Sequence, residues 1–162
     1  MGNTHKAIVW FNEVTKDDVA SVGGKGANLG EMTNANDPAR GILRGVALNP
    51  GTPLESVLPL IDEVEMALLL AVNPGWGGQK FIASTERRLK HLKVMIAESG
   101  REILTCVDGG ITRENIADVA RMGADIIVTG SAVFRGNTPL ENAKSMMSAA
   151  DNAAKGLKAN VT

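Results

Sequence analysis

One acidic residue, Asp108, directly follows an apolar segment of the chain. A carboxylate at the end of a buried strand can act as a general acid or base, or it can bind a metal ion. It can also cap the next helix, and this structural role stays open for Asp108. Cys106, two residues earlier, is expected to be a small buried core residue rather than a nucleophile. His91 is expected to be exposed on a helix, and His5 lies near the N-terminus.

Turns that contain glycine and polar residues follow four apolar segments. These turns are residues 49–52, 73–79, 108–111 and 129–132. Adjacent glycines leave backbone N–H groups uncovered by side chains, so such turns can hold a phosphate group. The alternative is that the glycines only close tight connections. Because three of the turns, residues 73–79, 108–111 and 129–132, place a glycine beside a second glycine or a serine, we predict phosphate binding.

The four apolar segments alternate with helical patterns. The predicted strands are residues 44–48, 65–72, 102–107 and 125–129, and the predicted helices are residues 54–61, 84–98, 113–122 and 140–154. Short apolar runs without polar alternation are typical of parallel strands covered on both faces. We predict Thr112 as a helix N-cap and Gly100 and Gly123 as C-terminal caps. Repeated strand–helix units predict an α/β fold, and four units are half of a (β/α)8 barrel.

Composition excludes several classes of protein. The 162 residues are 44% hydrophobic and 22% charged, with a net charge of −1, which is ordinary for a globular chain and gives no case for nucleic-acid binding. The longest apolar run, residues 66–72, is too short to span a membrane. No secretory signal is visible, and a single cysteine suits a reducing compartment. The sequence therefore predicts a cytoplasmic protein.

The chain divides at a segment rich in Asn, Asp, Pro and Gly. Residues 34–41 have the composition of a linker. Residues 1–33 are a predicted strand–turn–helix leader, residues 42–156 the half barrel and residues 157–162 a tail.

Four motifs resemble the C-terminal half of ribulose-phosphate 3-epimerases, strands five to eight of their barrel. They are GVALNPGTP (residues 45–53), VNPGWGGQKF (72–81), VDGGI (107–111) and VTGSAVF (128–134). The resemblance implies an isomerase of the pentose phosphate pathway that interconverts D-ribulose 5-phosphate and D-xylulose 5-phosphate. It also implies a divalent metal: zinc, iron, manganese or cobalt.

The resemblance further implies roles for residues of this chain. Asp108 corresponds to one of two proton-transferring aspartates and to a metal ligand. The residues that correspond to substrate-covering positions are Gly75, Trp76, Gly77 and Gly78. Those that correspond to phosphate-binding positions are Gly109, Gly110, Gly130 and Ser131.

Residues 1–43 depart from this family. They contain neither its His-x-Asp-x-Met-Asp-Gly-like motif nor its other metal-binding His. One metal ligand and one proton-transferring group remain, so we expect little activity from the lone chain. The alternatives are a sugar-phosphate-binding half barrel without catalysis, a self-associating half barrel, and an inactive product of gene rearrangement. We expect a homodimer that closes the half barrel.

The leader resembles a different family. AIVWFNE (residues 7–13) and VGGKGANLGEM (22–32) are similar to the N-terminus of phosphoenolpyruvate synthase and pyruvate phosphate dikinase. There the segment opens an ATP-grasp domain, and Lys25 would match a lysine near ATP. The alternatives are a fragment of such an enzyme and, favoured here, a turn that binds no nucleotide. The chain is thus predicted to be a chimera or a truncated chain, with a short dikinase-like leader joined to half of an epimerase barrel.

Overall fold

The computed structural model describes residues 43–159. Four strands alternate with helices along this part of the chain. The strands are β1 (Gly45–Leu48), β2 (Met66–Leu70), β3 (Leu104–Asp108) and β4 (Ile126–Val128). The helices are a 3₁₀ helix (Leu54–Leu60) and α1 (Ser84–Ser99), α2 (Ile116–Arg121), α3 (Ser131–Phe134) and α4 (Pro139–Ala159).

The described strands form one parallel sheet in the order β1-β2-β3-β4. In the register, Leu69 of β2 lies beside Leu48 of β1 and Val107 of β3. Val107 in turn lies beside Ile127 of β4. Each strand therefore pairs with the strand next to it in sequence, as in consecutive units of a (β/α)8 barrel. The predicted α/β fold is confirmed.

One face of the sheet packs against the helices. Leu69 and Val107 are fully buried, and they belong to the same apolar cluster as Leu89 and Leu92 of α1 and Val119 of α2. This cluster is the core of the described part of the chain.

Alternate residues of each strand point away from the helices, because side chains alternate across a strand. We call this side of the sheet the open face. Its side chains are Ala47, Met66, Leu68, Leu70, Leu104, Cys106, Asp108, Ile126 and Val128.

Three predicted helices differ from the structure, and the last of them, predicted over residues 140–154, runs from Pro139 to Ala159 as α4. The predicted helix at residues 54–61 is a 3₁₀ helix with Pro59 inside it, since proline lacks the N–H that a continuing α-helix requires. The helix predicted to begin at residue 113 begins at Ile116, so Thr112 is not its N-cap. In addition, α3 lies where no helix was predicted. Gly100 and Gly123, with φ of 70° and 81°, end their helices as predicted.

A hydrogen-bonded pair fixes the amino end of β4 to β3. The Thr105 hydroxyl and backbone N–H both donate to Oδ2 of Asp125, at 2.7 Å and 2.8 Å. Desolvation raises the Asp125 pKa, but the bonds from Thr105 and the charge of Lys93 outweigh it, and the net effect lowers the pKa. No helix among the described residues is long and apolar enough to cross a membrane.

Candidate functional site

The carboxyl ends of the four strands lie at one edge of the sheet, because the strands are parallel and adjacent. We call this edge and its loops the rim. The rim includes every predicted site residue: Asp108 at the end of β3, Gly109 and Gly110 after it, Gly75, Trp76, Gly77 and Gly78 after β2, and Gly130 and Ser131 after β4. The topology thus brings the acidic residue, the substrate-covering residues and the phosphate-binding residues predicted from the sequence to one edge of the sheet.

Asp108 is the last residue of β3 and is partly buried. It lies in register between Leu70 and Val128, on the open face. Its backbone carbonyl accepts a 2.7 Å hydrogen bond from the N–H of Ala71, which extends the pairing of β2 and β3 to the rim. The strand pairing therefore fixes the backbone that carries the carboxylate.

Cys106 shares the strand and the open face with Asp108. The thiol is buried, as predicted. Burial raises its pKa, and the negative charge of Asp108 raises it further. A raised pKa keeps the sulfur protonated at neutral pH, and a protonated thiol is a poor nucleophile.

The turn after β3 packs tightly against the loop after β2. Gly109 and Gly110 have φ of 111° and 66°. A Cβ atom at Gly109 would lie 2.6 Å from Cγ2 of Val72, and a Cβ atom at Gly110 would lie 2.5 Å from the backbone nitrogen of Phe81. Glycine is required at both positions to join the two loops.

Asn115 holds the other side of this turn. Its Oδ1 accepts a 2.7 Å hydrogen bond from the N–H of Thr112, and its Nδ2 donates to the carbonyl of Gly110 at 3.0 Å. The Thr129 hydroxyl donates to the carbonyl of Ile111 at 3.2 Å and links the end of β4 to the same turn. Sequence reasoning missed the contacts of both residues, although asparagine is a residue type that commonly bonds to the backbone of nearby turns.

The loop at residues 73–79 extends into solvent. Trp76 is 72% exposed, and the glycines around it are exposed as well. Gln79 closes the loop, because its side-chain amide nitrogen, Nε2, donates to the carbonyls of Asn73 at 2.6 Å and Trp76 at 3.0 Å. The loop thus has a fixed base and an accessible tip, which suits a segment that covers a ligand.

Two further side chains support the ends of the rim. Arg88 of α1 donates to the carbonyls of Asn49 at 3.2 Å and Thr52 at 2.8 Å and so holds the turn after β1. Buried Asn142 of α4 donates to the carbonyls of Val133 and Arg135, both at 2.8 Å, and so holds the end of α3. No periodic pattern in the sequence indicates the contact of Arg88 with the turn after β1.

The residues of the rim do not fit the implied divalent metal. No group of three or more His, Cys, Asp or Glu side chains that could hold a metal ion occurs within residues 43–159. Asp108 would be one oxygen ligand, and tight metal sites use several protein ligands. His91 is exposed on α1, as predicted. His5 lies outside the described residues.

Comparison with known proteins agrees with the motifs. Residues 31–134 match the family described as the ribulose-phosphate 3 epimerase family. The chain is 45% identical over 94 residues to ribulose-phosphate 3-epimerase of Serratia marcescens, and the aligned segment is 58% of this chain and 45% of that protein. It is 43% identical over 96 residues to the ribulose-phosphate 3-epimerase of Bacillus subtilis, and the aligned segment is 59% of this chain and 44% of that protein. The chloroplastic ribulose-5-phosphate-3-epimerase of Arabidopsis thaliana is 46% identical over 94 residues, and the aligned segment is 58% of this chain and 34% of that protein.

These relatives are epimerases by name, and the chain spans less than half the length of each of them. The match covers all four strands and every rim residue described above. From its parallel sheet, its rim motifs and this match, the chain belongs to the ribulose-phosphate 3-epimerase family.

Proposed function

We propose that the chain binds a phosphorylated pentose at the rim, with D-ribulose 5-phosphate and D-xylulose 5-phosphate as the ligands implied by its family. One observation carries the proposal: the predicted ligand-covering, phosphate-binding and acidic residues follow three adjacent parallel strands and meet at one edge. Ligands of parallel α/β folds bind at the carboxyl ends of the strands.

In this proposal the phosphate contacts backbone N–H groups of Gly109, Gly110, Gly130 and Ser131. Side chains are absent from three of these positions, so the backbone is open to an anion. The tight packing of Gly110 against Phe81 and the bond from Asn115 support this role, because they hold the turn in one conformation before a ligand arrives. Gly75, Trp76, Gly77 and Gly78 would cover the sugar.

Asp108 would be the group that exchanges a proton with C3 of the pentose. Inversion at that carbon needs a proton to leave from one face and another to arrive on the opposite face. Asp108 is the one carboxylate at the end of a described strand, and the described residues do not form a metal site that would polarise the ketone. We therefore propose ligand binding with little epimerisation by the lone chain.

Self-association is a second candidate function. The described sheet ends after four strands, and an edge strand presents unpaired backbone groups to other chains. A homo-oligomer would cover these edges. The resemblance of residues 7–32 to phosphoenolpyruvate synthase lies outside the described residues, so the leader, its boundaries and ATP binding remain predictions.

A phosphate titration followed by backbone amide NMR tests the binding site. We expect the amides of Gly109, Gly110, Gly130 and Ser131 to shift first, with millimolar affinity, about −4 kcal/mol. Ribulose 5-phosphate should shift the same amides and add Gly75 to Gly78.

A matched pair of variants sharpens the titration. Asp108→Asn removes a negative charge from the rim and should bind phosphate several-fold more tightly, since like charges repel. Gly51→Ala lies in the turn after β1, where a methyl group meets nothing within 4 Å, and should bind like the original chain. Amide shifts that begin at other residues would contradict the proposed phosphate site. A phosphate affinity that Asp108→Asn leaves unchanged would contradict it as well.

A further inference from the structure

Exposed large apolar side chains are concentrated on three surfaces of the described residues. Leu104 and Val128 lie on the open face and are 39% and 40% exposed. The exposed residues on the β1 side of the sheet, here called the β1 flank, are Leu43 before β1 and Leu58 of the 3₁₀ helix. Those on the β4 side, the β4 flank, are Phe134 of α3 and Leu140 and Met147 of α4.

These three surfaces are the ones that closure of a barrel would cover. An eight-stranded parallel barrel has an interior filled by side chains and a continuous ring of helices outside. The described sheet has four strands, with β1 and β4 as its outer strands. Of the other exposed large apolar residues, Trp76 lies in a rim loop and Val94 on the outer side of α1. The apolar exposure thus follows the open face and the two outer strands of the described sheet.

We propose that two copies of this chain close one eight-stranded barrel, with β4 of each copy pairing in parallel with β1 of the other. A twofold axis along the barrel then creates two identical junctions, each joining a β4 flank to a β1 flank. Such an assembly closes after two copies, and closed symmetry is the rule for oligomers. Both open faces become the interior.

The number of strands favours a second copy as the occupant. The described sheet has four parallel strands, and two copies related by a twofold axis supply the eight strands of one barrel. The flanks are also alike in chemistry: each presents large aliphatic or aromatic side chains more than 45% exposed.

Closure in this way would build the rim from both copies. The two β3 strands are four positions apart in a ring of eight, which places them on opposite sides of the barrel. Two Asp108 carboxylates then face one mouth from opposite sides, and each copy contributes its own rim loops. The identity of the ligand at this shared rim rests on the proposed function. The pairing of two copies is tested separately, by the mass of the protein in solution.

Sedimentation equilibrium of the full chain at micromolar concentration is the first measurement. The expected mass is about 34 kDa, twice the 17.0 kDa of one chain. A folded monomer of 17.0 kDa at micromolar concentration would contradict the proposed pairing of two copies. This holds whether residues 1–42 or a different protein covers the open face. Phosphate binding by that monomer would leave the proposed function standing.

Complementary charges test which surfaces meet. Met147→Glu and Leu58→Lys each place a charge in both junctions and should raise the dimer dissociation constant at least about tenfold. Mixed in equal amounts, the two variants should form heterodimers near the original affinity, because one junction then joins Glu to Lys and the other is unchanged. Val94→Glu alters a comparably exposed residue outside the junctions and should leave the dimer intact.

Circular dichroism establishes that the variants are folded, since all three sites are exposed on helices. Loss of the dimer in folded Met147→Glu, with recovery on mixing, supports the proposed junction. A dimer that survives both single variants, or one that the mixture fails to restore, contradicts the proposed junction. Equal dissociation by folded Val94→Glu would contradict it as well.

Discussion

The backbone nitrogen of Phe81 lies so close to Gly110 that a methyl group on that glycine would approach it to 2.5 Å. Phe81 belongs to the loop after β2, and Gly110 belongs to the turn after β3. Two loops that carry different parts of the proposed site are therefore in direct backbone proximity. The position of one loop limits the conformations open to the other.

Gly110→Ala is expected to destabilise the fold by about 2–4 kcal/mol, because backbone atoms must move and φ is 66°. Gly51→Ala is the control: it also alters a rim glycine, but its methyl group meets nothing within 4 Å. It should change stability by less than about 0.5 kcal/mol. Urea unfolding of both variants measures the difference. Equal stability would show that the two loops separate at little cost.

Asp108→Asn is expected to lower the pKa of Cys106, since the carboxylate is one of the two causes that raise it. Burial, the larger cause, remains, so the pKa should stay above its ordinary range. Thiolate absorbance near 240 nm against pH gives the midpoint for the chain's single cysteine. Asp118→Asn, an exposed carboxylate on α2 that pairs with Arg121, should leave the midpoint unchanged. A midpoint that does not move in Asp108→Asn would contradict the charge interaction.

Asp125→Asn is expected to cost about 0.5–1 kcal/mol at pH 7, a small value because the carboxylate is largely exposed. The folded pKa of Asp125 is lowered, so its stabilising effect is complete above the unfolded value near 3.9 and is lost as pH falls through the folded value. Urea unfolding at pH 7 and in steps below pH 4 should show the two proteins converging. Asp62→Asn, an exposed acid 3.8 Å from Arg101, is the control. A pH-independent difference would assign the effect to packing.

The purified chain is expected to show negligible epimerisation of ribulose 5-phosphate, with or without added zinc or iron. The reason is that residues 43–159 contain no group of three or more side chains that could hold a metal ion, and that Asp108 is the one carboxylate at the end of a described strand. Deuterium incorporation at C3 in heavy water is the sensitive assay. Robust exchange that Asp108→Asn abolishes would contradict this expectation and would indicate that a residue outside the described range, such as His5 or Glu31, completes the site.

The elements that sequence reasoning predicted correctly are those with a simple periodic signal. Apolar runs located all four strands, and the α1 pattern located that helix to within one residue of its end at Ser99. The 3₁₀ helix and the late start of α2 depend on Pro59 and on the bonds made by Asn115. Such local contacts compete with helix propensity and leave no periodic trace.

Sequence reasoning placed the site residues at strand ends but could not supply what holds them. The contact of Gly110 with Phe81 joins residues 29 positions apart, and the bond from Arg88 to Asn49 joins residues 39 apart. Contacts at such separations follow from the fold rather than from local pattern. The roles of the rim residues toward a ligand remain predictions.

The sequential strand order has a consequence for how the chain opens. Within the described sheet, β2 and β3 have hydrogen-bonded neighbours on both sides, whereas β1 and β4 have one each. Amide hydrogens of Leu69 and Val107 should therefore exchange with solvent most slowly, since they are released only when the core itself unfolds. Exchange should quicken toward the outer strands. Association of the kind proposed above would slow the β1 and β4 amides in a concentration-dependent way, so the outer strands would report the partner while the inner strands report the fold.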